Sequence, residues 1–153
     1  MSLLDKYEVF KNFLNSNNIR YAEDTLEHGD KFFRIPQTLG DNKVVEVLVI
    51  FAKQSIKILI VGIATIDSEE KKIACYKLFN EFAIQYSFFK FYIRPNGDVN
   101  VEGDAVLGVV EGEFQTKGLM GFIVAAVNLL QKVYGDIVKI QQSWISERAV
   151  VVE

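Results

Sequence analysis

The sequence offers few side chains that could perform nucleophilic or metal chemistry. Its 153 residues include one histidine, His28, and one cysteine, Cys75. One histidine alone cannot build a histidine-based metal site or a catalytic triad. No histidine other than His28 exists that could activate Cys75 as a nucleophile. His28 lies in the polar turn 27–30, which is typical of a solvated loop residue, and Cys75 lies in an apolar helical stretch, which is typical of a buried, inert thiol. We therefore predict that the protein is not an enzyme and holds no metal.

Carboxylates and glycines near residue 100 are considered as a possible cation site and a possible phosphate-binding loop. Asp98, Glu102 and Asp104 could suggest a cation site, but their spacing differs from that of an EF-hand loop. A solvated strand face is the favoured interpretation. The glycines that follow, at 103, 108 and 112, are too scattered for a phosphate-binding loop. We predict no cofactor.

Charge and composition limit the class of partner. Seventeen basic and twenty acidic side chains give a net charge of −3, with no basic cluster, which argues against nucleic-acid binding. Asp5, Lys6 and Glu8 precede any apolar core region, so the N-terminus does not resemble a secretory signal, and we expect a cytoplasmic protein. The longest nearly uncharged runs, 47–52 and 118–130, fall short of the roughly 20 apolar residues that span a bilayer. No membrane partner is expected.

The elements that must position any site are organised around residues 43–65. Two β-branched stretches, 44–51 and 56–66, flank a short polar break and predict an antiparallel hairpin. Apolar residues occur at both odd-numbered and even-numbered positions of these strands, and successive side chains of a strand point to opposite faces. We therefore expect both faces to be covered, either by the flanking helices or by a second copy of the protein.

Three helices are predicted from apolar spacing and capping residues. Leu3, Tyr7, Phe10 and Leu14 form the stripe of the first helix. Asp67 as N-cap with Glu70 three residues later predicts a capping box, and that helix runs to about residue 86. Thr116 can cap the last helix, whose apolar ridges predict that it lies across a sheet. One ridge contains Leu119, Ile123, Val127, Leu130 and Tyr134, and the other contains Met120, Val124 and Val133.

The middle helix carries a broad apolar stripe, which could pack into the core, contact a second subunit or protein partner, or do both. Tyr76, Phe79, Ala83 and Tyr86 share one side of it. Burial within one domain is one interpretation, and contact with a second subunit or a protein partner is the other. These four residues are our candidate dimer or partner interface.

Four further strands complete the predicted fold. Residues 19–25 and 31–38 form two, with Pro36 indicating an edge position or a strand end. Residues 88–94 and 98–107 form a hairpin closed by a two-residue loop at Asn96-Gly97. The result is one α+β domain over residues 1–153, with an antiparallel sheet and the order α-β-β-β-β-α-β-β-α. Its core covers about residues 3–140, and residues 141–153 form a C-terminal tail.

This order of elements resembles that of the YbjN family, whose fold is like that of type III secretion chaperones. The resemblance is carried by LLDKYEVFKNFL, VVEVLVIF, IKILIVGIAT, FKFYIRPNGDVNVEG and TKGLMGFIVAAVNLLQKVYG, and it covers most of residues 3–140. It implies a non-enzymatic module, acidic and often dimeric, that presents helix and sheet surfaces to another protein in a sensory or regulatory role. It identifies no functional residue.

Three functions remain open from the sequence. The leading hypothesis is a protein-binding or chaperone-like regulatory module that forms a homodimer. The alternative is a small-molecule-binding protein or enzyme whose aromatic pocket, between sheet and helices, is lined by Phe32, Phe88, Phe91 and Tyr92. A third is an inhibitor with an acidic face complementary to a basic partner, although a net charge of −3 gives weak electrostatic steering.

Overall fold

A computed structural model describes residues 3–52, 55–105 and 116–152 of the chain. Within these ranges the elements follow the order α-β-β-β-β-α-β-β-α, which confirms the predicted order and the α+β class. The helices are α1 (Leu3–Ser16), α2 (Glu69–Gln85) and α3 (Thr116–Val152). The strands are β1 (Ala22–Thr25), β2 (Lys31–Leu39), β3 (Lys43–Phe51), β4 (Ile56–Val61), β5 (Lys90–Ile93) and β6 (Val99–Ala105).

The strands form one antiparallel sheet in the order β1-β2-β3-β4-β6-β5. The predicted hairpin of β3 and β4 is at its centre, with Val47 opposite Ile60. Side chains on one face of the sheet, including those of Val47, Ile60 and Val101, share a single core with residues of all three helices. The fold therefore has two layers, with the helices on one face of the sheet.

The other face of the sheet carries ion pairs among the described residues. Arg34 lies 3.3 Å from Glu46, and Glu102 lies 3.7 Å from Lys57 and 3.6 Å from Lys90. Among the described residues the three helices lie on one face only, so the alternative in which flanking helices cover both faces is not realised there. The cross-strand charges make the other face compatible with water. Coverage by a second copy stays a prediction. Asn100 is buried on this face, and neither polar atom of its amide has a hydrogen-bond partner.

Strands β1, β4 and β5 are shorter than predicted, and β5 covers Lys90–Ile93 rather than residues 88–94. β1 begins at Ala22 rather than residue 19, and β4 ends at Val61 because Gly62 follows with a φ of +78°. Pro36 lies opposite Glu46 of β3 and beyond Arg34, the last β2 residue that pairs with β1. On that side no described strand pairs with β2 at Pro36, so the predicted edge position is confirmed locally.

The loop between β5 and β6 has three residues rather than the predicted two. The Arg94 N–H donates to the Asp98 carbonyl and the Gly97 N–H donates to the Arg94 carbonyl, both at 2.8 Å. Gly97 has a φ of +94°, whereas Asn96 keeps a negative φ. This is a type I turn followed by a left-handed glycine. Pro95 favours it, because the fixed φ of proline suits the first central position of such a turn.

Helix α2 begins one residue later than predicted. Ser68 is the N-cap, in extended conformation, and its side chain accepts a hydrogen bond from the Lys71 N–H at 3.2 Å. The predicted capping box of Asp67 and Glu70 is therefore wrong. Asp67 instead pairs with the buried Lys71 ammonium at 3.2 Å. The same ammonium donates to the Gln141 carbonyl at 2.6 Å, which fastens the start of α2 to α3.

Helix α3 is described from Thr116, which is itself helical. The predicted cap adjoins residues 106–115, outside the described residues, and stays a prediction. The backbone of α3 remains helical to Val152. The predicted tail 141–153 therefore continues the helix through that residue. Most of the first predicted ridge is buried, including Leu119, Ile123 and Leu130. In the second ridge Val133 is buried, but Val124 is exposed.

Part of α3, Thr116–Ser143, is long and apolar enough to cross a membrane by length and composition. The core helix of a globular domain passes the same test. Here Leu119, Ile123 and Ile137 pack into the core shared with the sheet. The stretch is therefore a weak indication of a membrane span.

An aromatic cluster fixes α1 to the sheet. The Tyr7 ring stacks on Phe33 of β2 with centroids 4.3 Å apart and meets Phe51 of β3 edge-on at 5.4 Å. The Tyr7 hydroxyl donates to Glu23 Oε1 at 2.6 Å, and Lys11 Nζ lies 3.2 Å from the same oxygen. Burial, reinforced by the bond to Glu23, raises the pKa of Tyr7 well above its usual value.

We expect the free energy of unfolding of the native protein to fall in alkaline solution as Tyr7 ionises, and we expect Tyr7→Phe to remove this part of the fall. The unfolded tyrosine ionises near pH 10, whereas the folded one keeps its proton to higher pH, so its contribution is complete below pH 10 and is lost above it. Urea unfolding of both proteins at a series of pH values from neutral to alkaline measures the difference. An equal alkaline fall in the free energy of unfolding of both proteins would contradict this assignment.

Candidate functional site

The two residues best suited to catalysis lie in unsuitable surroundings. His28 is exposed, and its Nε2 lies 2.9 Å from Asp30 Oδ2. Cys75 is buried in the core, and burial raises the pKa of its thiol to about 11, which keeps it protonated at neutral pH. No group of three His, Cys, Asp or Glu side chains that could hold a metal occurs in the described ranges. Neither His28 nor Cys75 therefore lies in surroundings that would activate it as a nucleophile or a base.

The carboxylates of β6 and its turn differ in their partners. Asp98 accepts hydrogen bonds from Thr65 Oγ1 at 3.1 Å and from Asn96 Nδ2 at 3.0 Å. Glu102 is shared by two lysines, as described above. Asp104 is exposed and has no ion-pair partner within 4 Å among the described residues. Asp98 and Glu102 are therefore already neutralised or bonded, and Asp104 is available.

The predicted aromatic pocket forms only in part: Phe88 and Phe91 both line a groove beside α2, whereas Phe32 and Tyr92 do not line it. Phe91 points toward the helices, with its ring 4.9 Å from Phe82. Tyr92 follows it on the strand and therefore points to the opposite face, where Lys90 Nζ lies 5.5 Å from its ring. Phe32 also lies on that face, but on β2, near the opposite edge of the sheet. The prediction that all four side chains converge is wrong, because Phe91 and Tyr92 are successive residues of one strand and point to opposite faces of the sheet.

The four predicted interface residues share one side of α2 and its C-cap, at the border between the core and solvent, and differ in burial. Phe79 is buried, with its ring 5.7 Å from Phe91, and Tyr86 is half-buried, with Lys132 Nζ 5.8 Å from its ring. Tyr76 and Ala83 are exposed. Their role in an interface stays a prediction, and the fold leaves Tyr76 and Ala83 available for it.

The exposed side of α2 concentrates apolar side chains. Ile73, Tyr76 and Ile84 are 54%, 52% and 78% exposed, and Phe88, just after the helix, is 72% exposed. These are four of the six large hydrophobic side chains that the described residues expose. We define the α2 surface as this set together with Ala83: Ile73, Tyr76, Ala83, Ile84 and Phe88.

Two grooves border the turn 86–89 that follows α2. The first, the β6 groove, has a volume of about 350 Å³ and is closed on its far side by Glu102, Gly103 and Asp104. The second, the α3 groove, has a volume of about 420 Å³ and is closed by residues of α3, including Asn128 and Lys132. Because residues 86–89 line both grooves, the turn forms a ridge between them.

The lack of a side chain at Gly103 allows this ridge to lie close to the sheet. A Cβ atom at Gly103 would lie 2.8 Å from Phe89 Cδ1 and 2.9 Å from the Phe88 carbonyl oxygen. The Phe89 ring in turn contacts Phe122 of α3, with centroids 4.9 Å apart. Phe89 therefore anchors the turn, and Phe88 projects into solvent.

Two comparisons with known proteins, one with protein families and one with curated proteins, find no match: the sequence matches no protein-family model, and no curated protein is significantly similar to it.

Proposed function

We propose that this protein is a non-enzymatic, chaperone-like protein-binding module that forms a homodimer through the α2 surface. The concentration of exposed apolar side chains on one helix and the turn after it carries the proposal. Scattered exposed apolar residues are ordinary, but a group of them on one element is typical of an interaction site. Tyrosine and phenylalanine, which are enriched in interface cores, are both present in it.

The order of elements supports the same class of function. It resembles that of the YbjN family and of type III secretion chaperones, and the resemblance implies a protein-binding and often dimeric module. The protonated Cys75 thiol and the exposed His28, held by Asp30, support a role without catalysis. Net charge −3 leaves the choice of partner to shape and apolar contact more than to long-range attraction.

Ile84→Glu should weaken self-association strongly. Ile84 is the most exposed of the large hydrophobic side chains of the α2 surface, and burying a carboxylate in an apolar interface requires its desolvation. We expect the dimer dissociation constant to rise about 30-fold, or by about 2 kcal/mol, the size typical of an interface hot spot. Sedimentation equilibrium across micromolar concentrations measures it.

Val44→Glu is the matched control. Val44 is 56% exposed on β3, on the face of the sheet away from α2, so the same substitution adds the same charge elsewhere. It should leave the dissociation constant unchanged. A native protein that stays monomeric across the range, or equal weakening by both substitutions, would contradict a dimer formed through α2.

A second candidate function is small-molecule binding in the grooves beside the turn. Their volumes, about 350 and 420 Å³, fall within the range of ligand pockets. A ligand that binds the folded protein must raise its unfolding temperature. A metabolite screen that gives no thermal shift at saturating concentration would argue against this candidate.

A further inference from the structure

The α3 groove combines an apolar lining with a single charged group. Three aromatic and two aliphatic side chains line it, and none of its described lining residues is acidic. Lys132 is the one charged residue of that lining, and it has no carboxylate within 4 Å among the described residues. The groove is therefore locally positive in a protein whose net charge is −3.

Two contacts give this groove a direction. The Lys132 Nζ lies 5.8 Å from the centre of the Tyr86 ring, a distance at which a cation and an aromatic face attract each other. The Phe89 ring packs 4.9 Å from Phe122, which precedes Lys132 on α3 by about 15 Å of helix. The groove therefore has a charged end at Tyr86 and Lys132 and an apolar end at Phe89.

The wall formed by α3 follows the same direction. Ala125, Asn128 and Lys132 line the groove at intervals of three and four residues, which places them in one row on the helix surface. The row spans about 10 Å, and along it the side chains change from a methyl group to an amide and then to an ammonium group. Leu129, which is buried, supplies an apolar floor beside the row. Such a wall suits a ligand that is apolar at one end and polar at the other.

The polar groups at the charged end are not used by the fold. Within the described part of the chain, the Asn128 amide makes no hydrogen bond, and the Lys132 ammonium meets only the Tyr86 ring. Asn128 and Lys132 lie one helical turn apart, so both can donate to the two oxygens of one carboxylate. A phosphate group carries nearly two negative charges at neutral pH, which one ammonium group does not neutralise. A carboxylate is therefore the better match.

We infer that the α3 groove binds a small apolar carboxylate. Its carboxylate lies between Lys132 and Asn128, and its apolar body lies against Phe89 and Ala125. The inference rests on the second candidate function, small-molecule binding beside the turn, and names the class of ligand. Lys132 is exposed to solvent, so its charge contributes selectivity for a charged ligand more than affinity.

Two pairs of compounds that differ in charge but not in shape test this assignment. Phenylpropionate and phenylpropanamide share an aromatic body, and octanoate and octanamide share an aliphatic one. Titration of the nitrogen-15-labelled native protein, followed by NMR, measures each dissociation constant and shows which backbone amides shift. At least one acid should bind about tenfold more tightly than its amide, because a hydrogen bond to a charged group is stronger than one between neutral groups. The shifts should be centred on Phe89, Ala125 and Asn128.

Three variants locate the charge and the apolar end. Lys132→Gln should weaken binding of the acid about tenfold and leave the amide unchanged, because it removes the charge and keeps a polar side chain. Lys139→Gln is the matched control: it removes the same charge from an exposed position of α3 that does not line the groove, and both constants should stay unchanged. Ala125→Leu fills the apolar end with another good helix former and should abolish binding of both compounds.

The outcomes separate this inference from the proposed functions. A preference for the acid that is lost in Lys132→Gln and kept in Lys139→Gln supports it. Equal affinity for acid and amide, with both lost in Ala125→Leu, overturns the carboxylate assignment and leaves small-molecule binding in the groove standing. Shifts centred elsewhere, or no binding of any of the four compounds up to their solubility limits, overturn the inference. Ile84 does not line the groove, so Ile84→Glu should bind the acid as the native protein does, whether or not the α2 dimer forms.

Discussion

Phe33→Ala is expected to destabilise the fold by about 3 to 5 kcal/mol, the range measured for truncating a buried phenylalanine. Phe33 is fully buried at the centre of the aromatic cluster between α1 and the sheet. Its ring lies within 6 Å of four other rings, those of Tyr7, Phe10, Tyr21 and Phe51. Truncation removes these contacts and leaves a cavity among residues of α1 and β3 that cannot move together. Urea unfolding at neutral pH measures the loss.

Phe88→Ala is the control for this prediction. It removes the same side chain from a site where 72% of the residue faces solvent, so the free energy of unfolding should change by less than about 0.5 kcal/mol. The comparison uses dilute protein, so that weaker dimerisation does not enter the result. Similar losses for both variants would show that Phe33 is not central to the core.

Gly97→Ala is expected to destabilise the protein by about 2 to 4 kcal/mol, because two costs add. Gly97 has a φ of +94°, which a residue with a Cβ adopts only with strain. That Cβ would also lie 2.5 Å from the Ile66 carbonyl oxygen, a backbone atom that cannot rotate away. Relief of the overlap would break the hydrogen bond from the Ile66 N–H to the Gly97 carbonyl, now 2.8 Å long.

Gly29→Ala separates the two costs. Gly29 has a similar φ of +100°, but a Cβ there would meet no atom within 4 Å. This variant should lose only about 1 to 2 kcal/mol from backbone strain. Thermal and urea unfolding of both variants give the difference. Equal losses would mean that the contact between Gly97 and Ile66 does not constrain the turn.

The order of elements could be predicted from periodicity and turn residues. Tyr7, Phe10 and Leu14 recur at helical spacing and are buried, and the same spacing identified Leu119 and Ile123 in α3. These positions are determined locally, because an apolar stripe on a helix with an otherwise polar surface has one face to bury. The strands of the central hairpin were equally clear from their β-branched residues.

The orientation of α2 could not be predicted in the same way. Residues 76, 79, 83 and 86 and residues 73, 76, 80 and 83 have the same spacing, so periodicity alone does not show which set faces the core. The fold decides it, because the Phe79 and Phe82 rings pack against Phe91 of β5. Ile73 and Ile84 are consequently left exposed.

Other features depended on contacts between distant parts of the chain. The two grooves form where the turn after α2 meets β6 on one side and α3 on the other, and no local pattern indicates such a meeting. The choice of Ser68 over Asp67 as N-cap has a similar cause, because Asp67 pairs with Lys71, whose ammonium also bonds to Gln141 of α3.

The most direct test of the α2 homodimer is disulfide cross-linking of Ala83→Cys. If the two-fold axis of the dimer runs parallel to α2, the exposed Ala83 of each copy lies opposite its counterpart, within the Cα separation that a disulfide allows. The buried Cys75 should not compete. Thr38→Cys, exposed on β2 and far from α2 along the sheet, is the control. We predict that mild oxidation of dilute protein converts Ala83→Cys largely to a covalent dimer and leaves Thr38→Cys monomeric. Equal and slight cross-linking of both variants, together with a native protein that stays monomeric in sedimentation equilibrium, would contradict the proposed dimer.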